Sequence, residues 1–91
     1  MTAESILIPP FYMEIDGVTI EVLEVLKHQL ISGDKFYTVA LRIHYKDIVS
    51  KIFNLTVKDE EELKNKLKIE ITKIKFMEYA YGLKYVKGVI T

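Results

Sequence analysis

Apolar and polar residues alternate along the first two thirds of the chain, and then the period changes. Phe11, Met13 and Ile15, then Val18, Ile20 and Val22, occupy every second position, the period of a strand with one buried face. Asp16-Gly17 stands between the two runs and supplies residues that tolerate the positive φ of a tight hairpin turn. Closing that turn pairs Ile15 with Val18, Met13 with Ile20 and Phe11 with Val22 on one face. Tyr12, Glu14, Thr19 and Glu21 then share the other.

Residues 21–30, EVLEVLKHQL, carry two periods at once. Leu23, Leu26, Leu30 and Ile31 would share a helix face. Gly33-Asp34, however, reads as a second tight turn leading into 36–45, where Tyr37, Val39, Leu41, Ile43 and Tyr45 alternate with Thr38, Ala40, Arg42 and His44. A two-residue closure sets Leu30 against Tyr37, Leu26 against Leu41 and Val22 against Tyr45. The apolar face then continues from the first hairpin, and this agreement between two turns favours a long bent strand. In the next run Val49, Phe53, Leu55 and Val57 share a face. Only an odd-length loop opposes Tyr45 to Val49, Leu41 to Phe53 and Val39 to Leu55, so a bulge or three-residue connection is expected near Lys46-Asp47.

From residue 59 the period is helical. Asp59 has the chemistry of an N-cap, Glu60, Glu61 and Glu62 suit the positive end of a helix dipole, and Gly82 suits a helix end. Leu63, Leu67, Ile71, Ile74, Met77 and Tyr81 fall within about 120° of arc, the width of a core-facing stripe. The expected fold is therefore α+β: a four-stranded antiparallel β-meander at about 11–15, 18–31, 36–45 and 49–57, packed on one long C-terminal helix at about 59–81. Residues 1–10, with the stiff Pro9-Pro10, read as an arm that lies over the domain or reaches a neighbour. Residues 83–90 read either as a short edge strand or as a frayed tail.

Ile69, Phe76, Ala80 and Leu83 cluster on the side of the helix away from the core stripe, with Ile69, Phe76 and Leu83 spaced by seven. An apolar patch of this kind usually marks a contact. The arm, the tail, a second copy in a homodimer or another protein could cover it.

Composition narrows the function classes. Ninety-one residues make one domain, and the chain has no cysteine, which excludes disulfides, thiolate metal sites and cysteine nucleophiles. No stretch has the character of a signal or membrane segment, so a soluble, cytoplasmic protein is expected. The wealth of isoleucine, lysine, glutamate and tyrosine is a bias shared by thermophile proteins and by AT-rich genomes. Net charge is zero but uneven: residues 1–34 hold one base and six acids, and residues 35–91 hold twelve bases and seven acids.

Lys64, Lys68 and Lys75 line a polar side of the helix with Thr72 and Tyr79. Lys27, Arg42, His44 and Tyr12 are expected on the uncovered sheet face. Either set could read a phosphate backbone, although a single arginine is poor equipment for base readout. On the expected register His28 and His44 point to opposite faces and cannot share a metal or a proton relay. Glu70 falls within the core stripe and calls for Lys66 or Lys73 as partner. Ser5, Ser32 and Ser50 lack a histidine partner. No catalytic, metal or cofactor residue is assigned. The sequence reads as a small non-enzymatic binding or assembly protein, homodimeric through the Ile69/Phe76/Ala80/Leu83 stripe; the alternative is a nucleic-acid-binding protein.

Overall fold

A computed structural model describes residues 2–6 and 10–91, with side chains from residue 10 onward. The strands are β1 (Thr2–Ile6), β2 (Phe11–Ile15), β3 (Val18–Gln29), β4 (Lys35–Tyr45), β5 (Ile48–Val49) and β6 (Phe53–Val57); α1 (Glu60–Tyr81) and α2 (Leu83–Ile90) follow. All strand pairs are antiparallel. β2, β3, β4 and β6 form the expected meander. β1 continues the β2 edge along the second half of β3, and β5 continues the β6 edge beside the end of β4. Much of the supposed arm is thus an edge strand, with Ile6 opposite Val25 and Thr2 opposite Gln29. The remainder of the arm, residues 1 and 7–9, lies outside the described residues.

The first hairpin has the expected register, Ile15 opposite Val18 through Phe11 opposite Val22, and both Asp16 and Gly17 have positive φ. Residues 21–29 are strand, not helix, but the second hairpin closes differently from expectation. Leu30 and Asp34 flank a loop of Ile31, Ser32 and Gly33: the Leu30 N–H donates to the Asp34 carbonyl at 2.8 Å and the Gly33 N–H to the Leu30 carbonyl at 2.9 Å. Gly33, at φ +95°, takes the left-handed position that three-residue hairpin loops reserve for glycine. Val25 therefore faces Val39, and a bulge between Val22 and Glu24 then sets Val22 opposite Leu41, where Tyr45 was expected. The bulge also exchanges the two faces of β3 beyond residue 23. Val25 and Lys27 join Val22 on the helix side; Leu26 and His28 join Glu21 on the open side.

In the third hairpin Leu41 does oppose Phe53, and Val39 opposes Leu55. The irregularity that makes this register work lies at Ser50, not in the turn. Lys46-Asp47 is a two-residue turn with Tyr45 opposite Ile48, so Ile48 enters the core and Val49 is exposed on the open face. The buried Ser50 accepts the Ile43 N–H through Oγ at 2.8 Å and donates to the Lys51 carbonyl at 2.9 Å, which satisfies backbone groups freed where the strand breaks.

Asp59 caps α1 by accepting the Glu62 N–H at 2.8 Å. Leu63, Leu67, Ile71 and Ile74 are buried against Ile20, Val22, Leu41 and Ile43, with Met77 at the margin. Tyr81 is not in the core: it is 68% exposed and its ring packs on Tyr85, centroids 4.7 Å apart. The reason is Gly82, at φ +94° and ψ +165°, a combination open essentially only to glycine. The chain turns there into α2, not into an edge strand or a tail, and Val86 fills the core position at the end of α1. The Ile90 carbonyl at the far end of α2 accepts the Lys51 N–H at 2.9 Å.

Candidate functional site

Ile69 and Phe76 lie on the outside of α1, 56% and 66% exposed, with Ala80 exposed beside them. The fourth member of the expected stripe is elsewhere: Leu83 opens α2 and packs against the core, because the chain leaves the helical path at Gly82. β1 is engaged with β3 and α2 with the core, so neither covers Ile69 and Phe76 among the described residues. Lys73, beside them, is paired with Glu70 at 3.3 Å, one of the two partners expected for that carboxylate.

The lysine side of α1 is interleaved with acceptors. Lys64 pairs with Glu60 at 3.1 Å, and Lys75 donates to the Asp16 carbonyl at 2.8 Å, tying the helix to the first turn. Glu60, Lys64 and Lys68 border a cleft whose other wall includes Glu14 and Asp16. Lys27 is not on the open sheet face, because the bulge turns it to the helix side. For the same reason His28 and His44 share the open face, contrary to the expectation that they diverge. They sit at opposite ends of the β3–β4 pair, His28 of β3 opposite Phe36 and His44 of β4 opposite Thr19.

The open face has a polar centre that periodicity did not reveal. Glu21 is 5% exposed and accepts from Arg42 Nε at 2.8 Å, Arg42 Nη2 at 3.2 Å and His44 Nε2 at 2.8 Å. Tyr12 meets His44 edge-on at 6.2 Å. The Arg42 hydrogen bond, followed by that of His44, holds the Glu21 carboxyl below its ordinary value of 4.5, against the opposing effect of desolvation. Further along, His28 stacks on Phe36 with centroids 4.6 Å apart and shares a 3.1 Å hydrogen bond with Thr38. Arg42 and His44, two of the candidate phosphate contacts, are therefore already engaged by a carboxylate.

A second polar knot closes the far end of α1. Glu78 accepts from Lys46 and from the Tyr45 hydroxyl; those two bonds, Lys46 first, lower its pKa. Burial, with the Glu78 bond behind it, pushes the Tyr45 phenol up to about 12.

Between α1, α2 and the β5–β6 edge lies a cavity of about 420 Å³. Its walls are Ile43, Phe53, Leu55, Ile74, Met77 and Ile90, and Lys51, Glu70 and Lys73 stand among its lining. Sequence reasoning missed it because it took residues 83–90 for a strand or tail. The spacing of Leu83, Val86 and Ile90 by three and four was the available helical signal.

Among the described residues, no group of three His, Asp or Glu side chains is disposed to hold a metal ion, and no helix is long and apolar enough to cross a membrane. No family model matches the chain, and no curated protein or solved structure is significantly similar to it.

Proposed function

We propose that the protein is a small non-enzymatic binding and assembly module that pairs with a second copy of itself through the outside of α1. The observation that carries this reading is the exposure of Phe76 and Ile69 together on a helix whose opposite stripe already forms the core. An isologous contact needs a surface that is complementary to itself. Two antiparallel α1 helices related by an axis between Thr72 and Lys73 would set each Ile69 against Phe76 of the other copy and each Ala80 against Asn65. Lys66 would meet Tyr79, and the two copies of Lys73 would stand together beside the axis, each paired with its own Glu70 at 3.3 Å. The alternative, a nucleic-acid-binding surface, has weaker support. Lys64, Lys75, Arg42 and His44 all bond to acceptors within the chain, and Lys68 faces a cleft that contains acidic residues.

Sedimentation equilibrium should give twice the chain mass for the wild type and the chain mass for Phe76→Glu, with both circular dichroism spectra unchanged. A wild-type monomer at high concentration, or a dimer that survives Phe76→Glu, would overturn the assignment. Saturable, salt-sensitive binding of DNA or RNA that is lost in Lys68→Glu/Lys75→Glu would favour the alternative.

A further inference from the structure

We infer that the cavity between α1, α2 and the β5–β6 edge is a binding site for a small amphiphile with an apolar tail and an anionic head. Its apolar walls are distinct from the self-association surface, because neither Ile69 nor Phe76 lines it, although Lys73 borders both. Three observations carry the inference.

The first is size and lining. About 420 Å³ lies within the range of small-molecule sites. At roughly 30 Å³ per water-sized group it holds on the order of a dozen non-hydrogen atoms. Its walls are aliphatic and aromatic, from Ile43, Phe53, Leu55, Ile74, Met77 and Ile90, and offer water few partners. The pocket is partly open to solvent, so an apolar tail can lie along these walls while a polar head stays at the mouth.

The second is the charge among the lining groups. Lys51 and Lys73 provide two cations against one carboxylate, Glu70, which lies 3.3 Å from Lys73 Nζ. The site is therefore net positive and already holds one carboxylate against a lysine. A ligand carboxylate can take a place beside the same ammonium groups, whereas a cationic head would meet like charge.

The third is the origin of the wall. Ile90 reaches the cavity because Gly82 turns α2 back and Val86 anchors it in the core. The hydrogen bond from the Lys51 N–H to the Ile90 carbonyl holds the end of α2 against the β5–β6 edge. The cavity is thus part of the built fold, framed by fixed backbone on two sides.

The test is calorimetric titration of the intact chain with decanoate, decanol and decyltrimethylammonium, each below its micelle concentration. Decanoate should bind saturably at one per chain and several-fold tighter than decanol, and decyltrimethylammonium more weakly than either. Lys73→Glu should abolish the preference for decanoate over decanol while leaving the fold intact. Glu70→Gln should tighten decanoate by a few-fold, the scale of one exposed ion pair. Leu55→Trp, which fills the cavity, should remove binding of all three. Phe76→Glu should bind like the wild type whether or not it changes the mass, which separates this site from the self-association surface. Absence of saturable decanoate binding would overturn the inference, as would binding unchanged by both Leu55→Trp and Lys73→Glu. Equal affinity for decanoate and decanol would overturn the anionic head.

Discussion

Ile20 and Glu21 are neighbours in β3, they point to opposite faces of the sheet, and both are almost removed from solvent. Ile20 is buried by a layer: α1 lies over it, and Leu41, Leu67 and Ile71 belong to the same core. Among the described residues, no helix lies over Glu21. It is buried by Arg42 and His44 from the adjacent strand, which lie against it and bond to its carboxylate. The first kind of burial is non-directional and proportional to area. The second depends on a few bonds with particular protonation states, so the two faces should fail under different perturbations.

The largest effect is expected on the layered face. Leu67 is fully buried at the centre of α1, and Leu67→Ala leaves a cavity worth about 2–5 kcal/mol. Urea unfolding should show this loss with little change when salt is added. A loss under about 1 kcal/mol would mean that α1 does not seal the sheet there.

On the open face the signature is pH. The folded-state pKa of Glu21 is depressed, so its contribution to stability is present above the ordinary carboxylate value of 4.5 and is lost as pH falls through the lower folded value. Glu21→Gln should therefore be less stable than the wild type at neutral pH, and the two should converge in acid. Thermal unfolding across that range would measure it. Parallel curves for the two proteins would show that the cluster does not hold the face. Glu78 has its own depressed pKa and should leave a residual acid dependence in the variant.

Tyr45 gives the reverse case at the rim of the layered face. Its folded pKa is raised from 10 to about 12 by burial and by Glu78. The native state thus keeps the phenolic proton that the unfolded state gives up, and this contribution, complete below pH 10, is lost as pH rises toward 12. Tyr45→Phe should flatten the alkaline limb of the stability profile, and on the acid limb should remove only the part of the Glu78 dependence that comes from the Tyr45 bond, the Lys46 bond being kept. An unaltered alkaline limb would mean that Tyr45 ionises as easily folded as unfolded.

The same contrast explains what could be read from the chain alone. The layered face was legible because area follows period: Val18, Ile20 and Val22, then Val39, Leu41 and Ile43, then Leu63, Leu67, Ile71 and Ile74 fall where alternation and helical spacing put them. Asp16-Gly17 fixed the first register. The polar centre was not legible because it depends on which residues are opposed. Closing the second hairpin at Gly33-Asp34 would put Val22 against Tyr45, four residues from its true partner Leu41, and so keeps Glu21 from meeting Arg42. The bulge after Val22 leaves no mark in EVLEVL, where leucine and valine suit either face. α2 was missed for a related reason. Gly82 read as the end of the last helix, which left residues 83–90 as an edge strand or a tail, and the cavity that α2 helps to wall was lost with it.

The smallest effect tests whether the open face is open. Thr38 lies on it, half-buried, and its hydroxyl is engaged by His28 while His28 rests on Phe36. Thr38→Val keeps the shape and the β-branch and removes one hydrogen bond, a change of about 0.5–1.5 kcal/mol. That range follows only if water can reach the His28 nitrogen left without its partner. If a second layer covered this face in solution, the same substitution would strand a buried polar atom, and the cost would rise toward that of Leu67→Ala. Chemical unfolding of Thr38→Val at neutral pH therefore measures more than one bond. A small loss leaves α1 as the only layer on the sheet, with self-association confined to its outer surface. The His28 ring already buries Nδ1 without a partner, so a large loss moves the partner from the helix to the face around Thr38 only when the oligomer also survives Phe76→Glu.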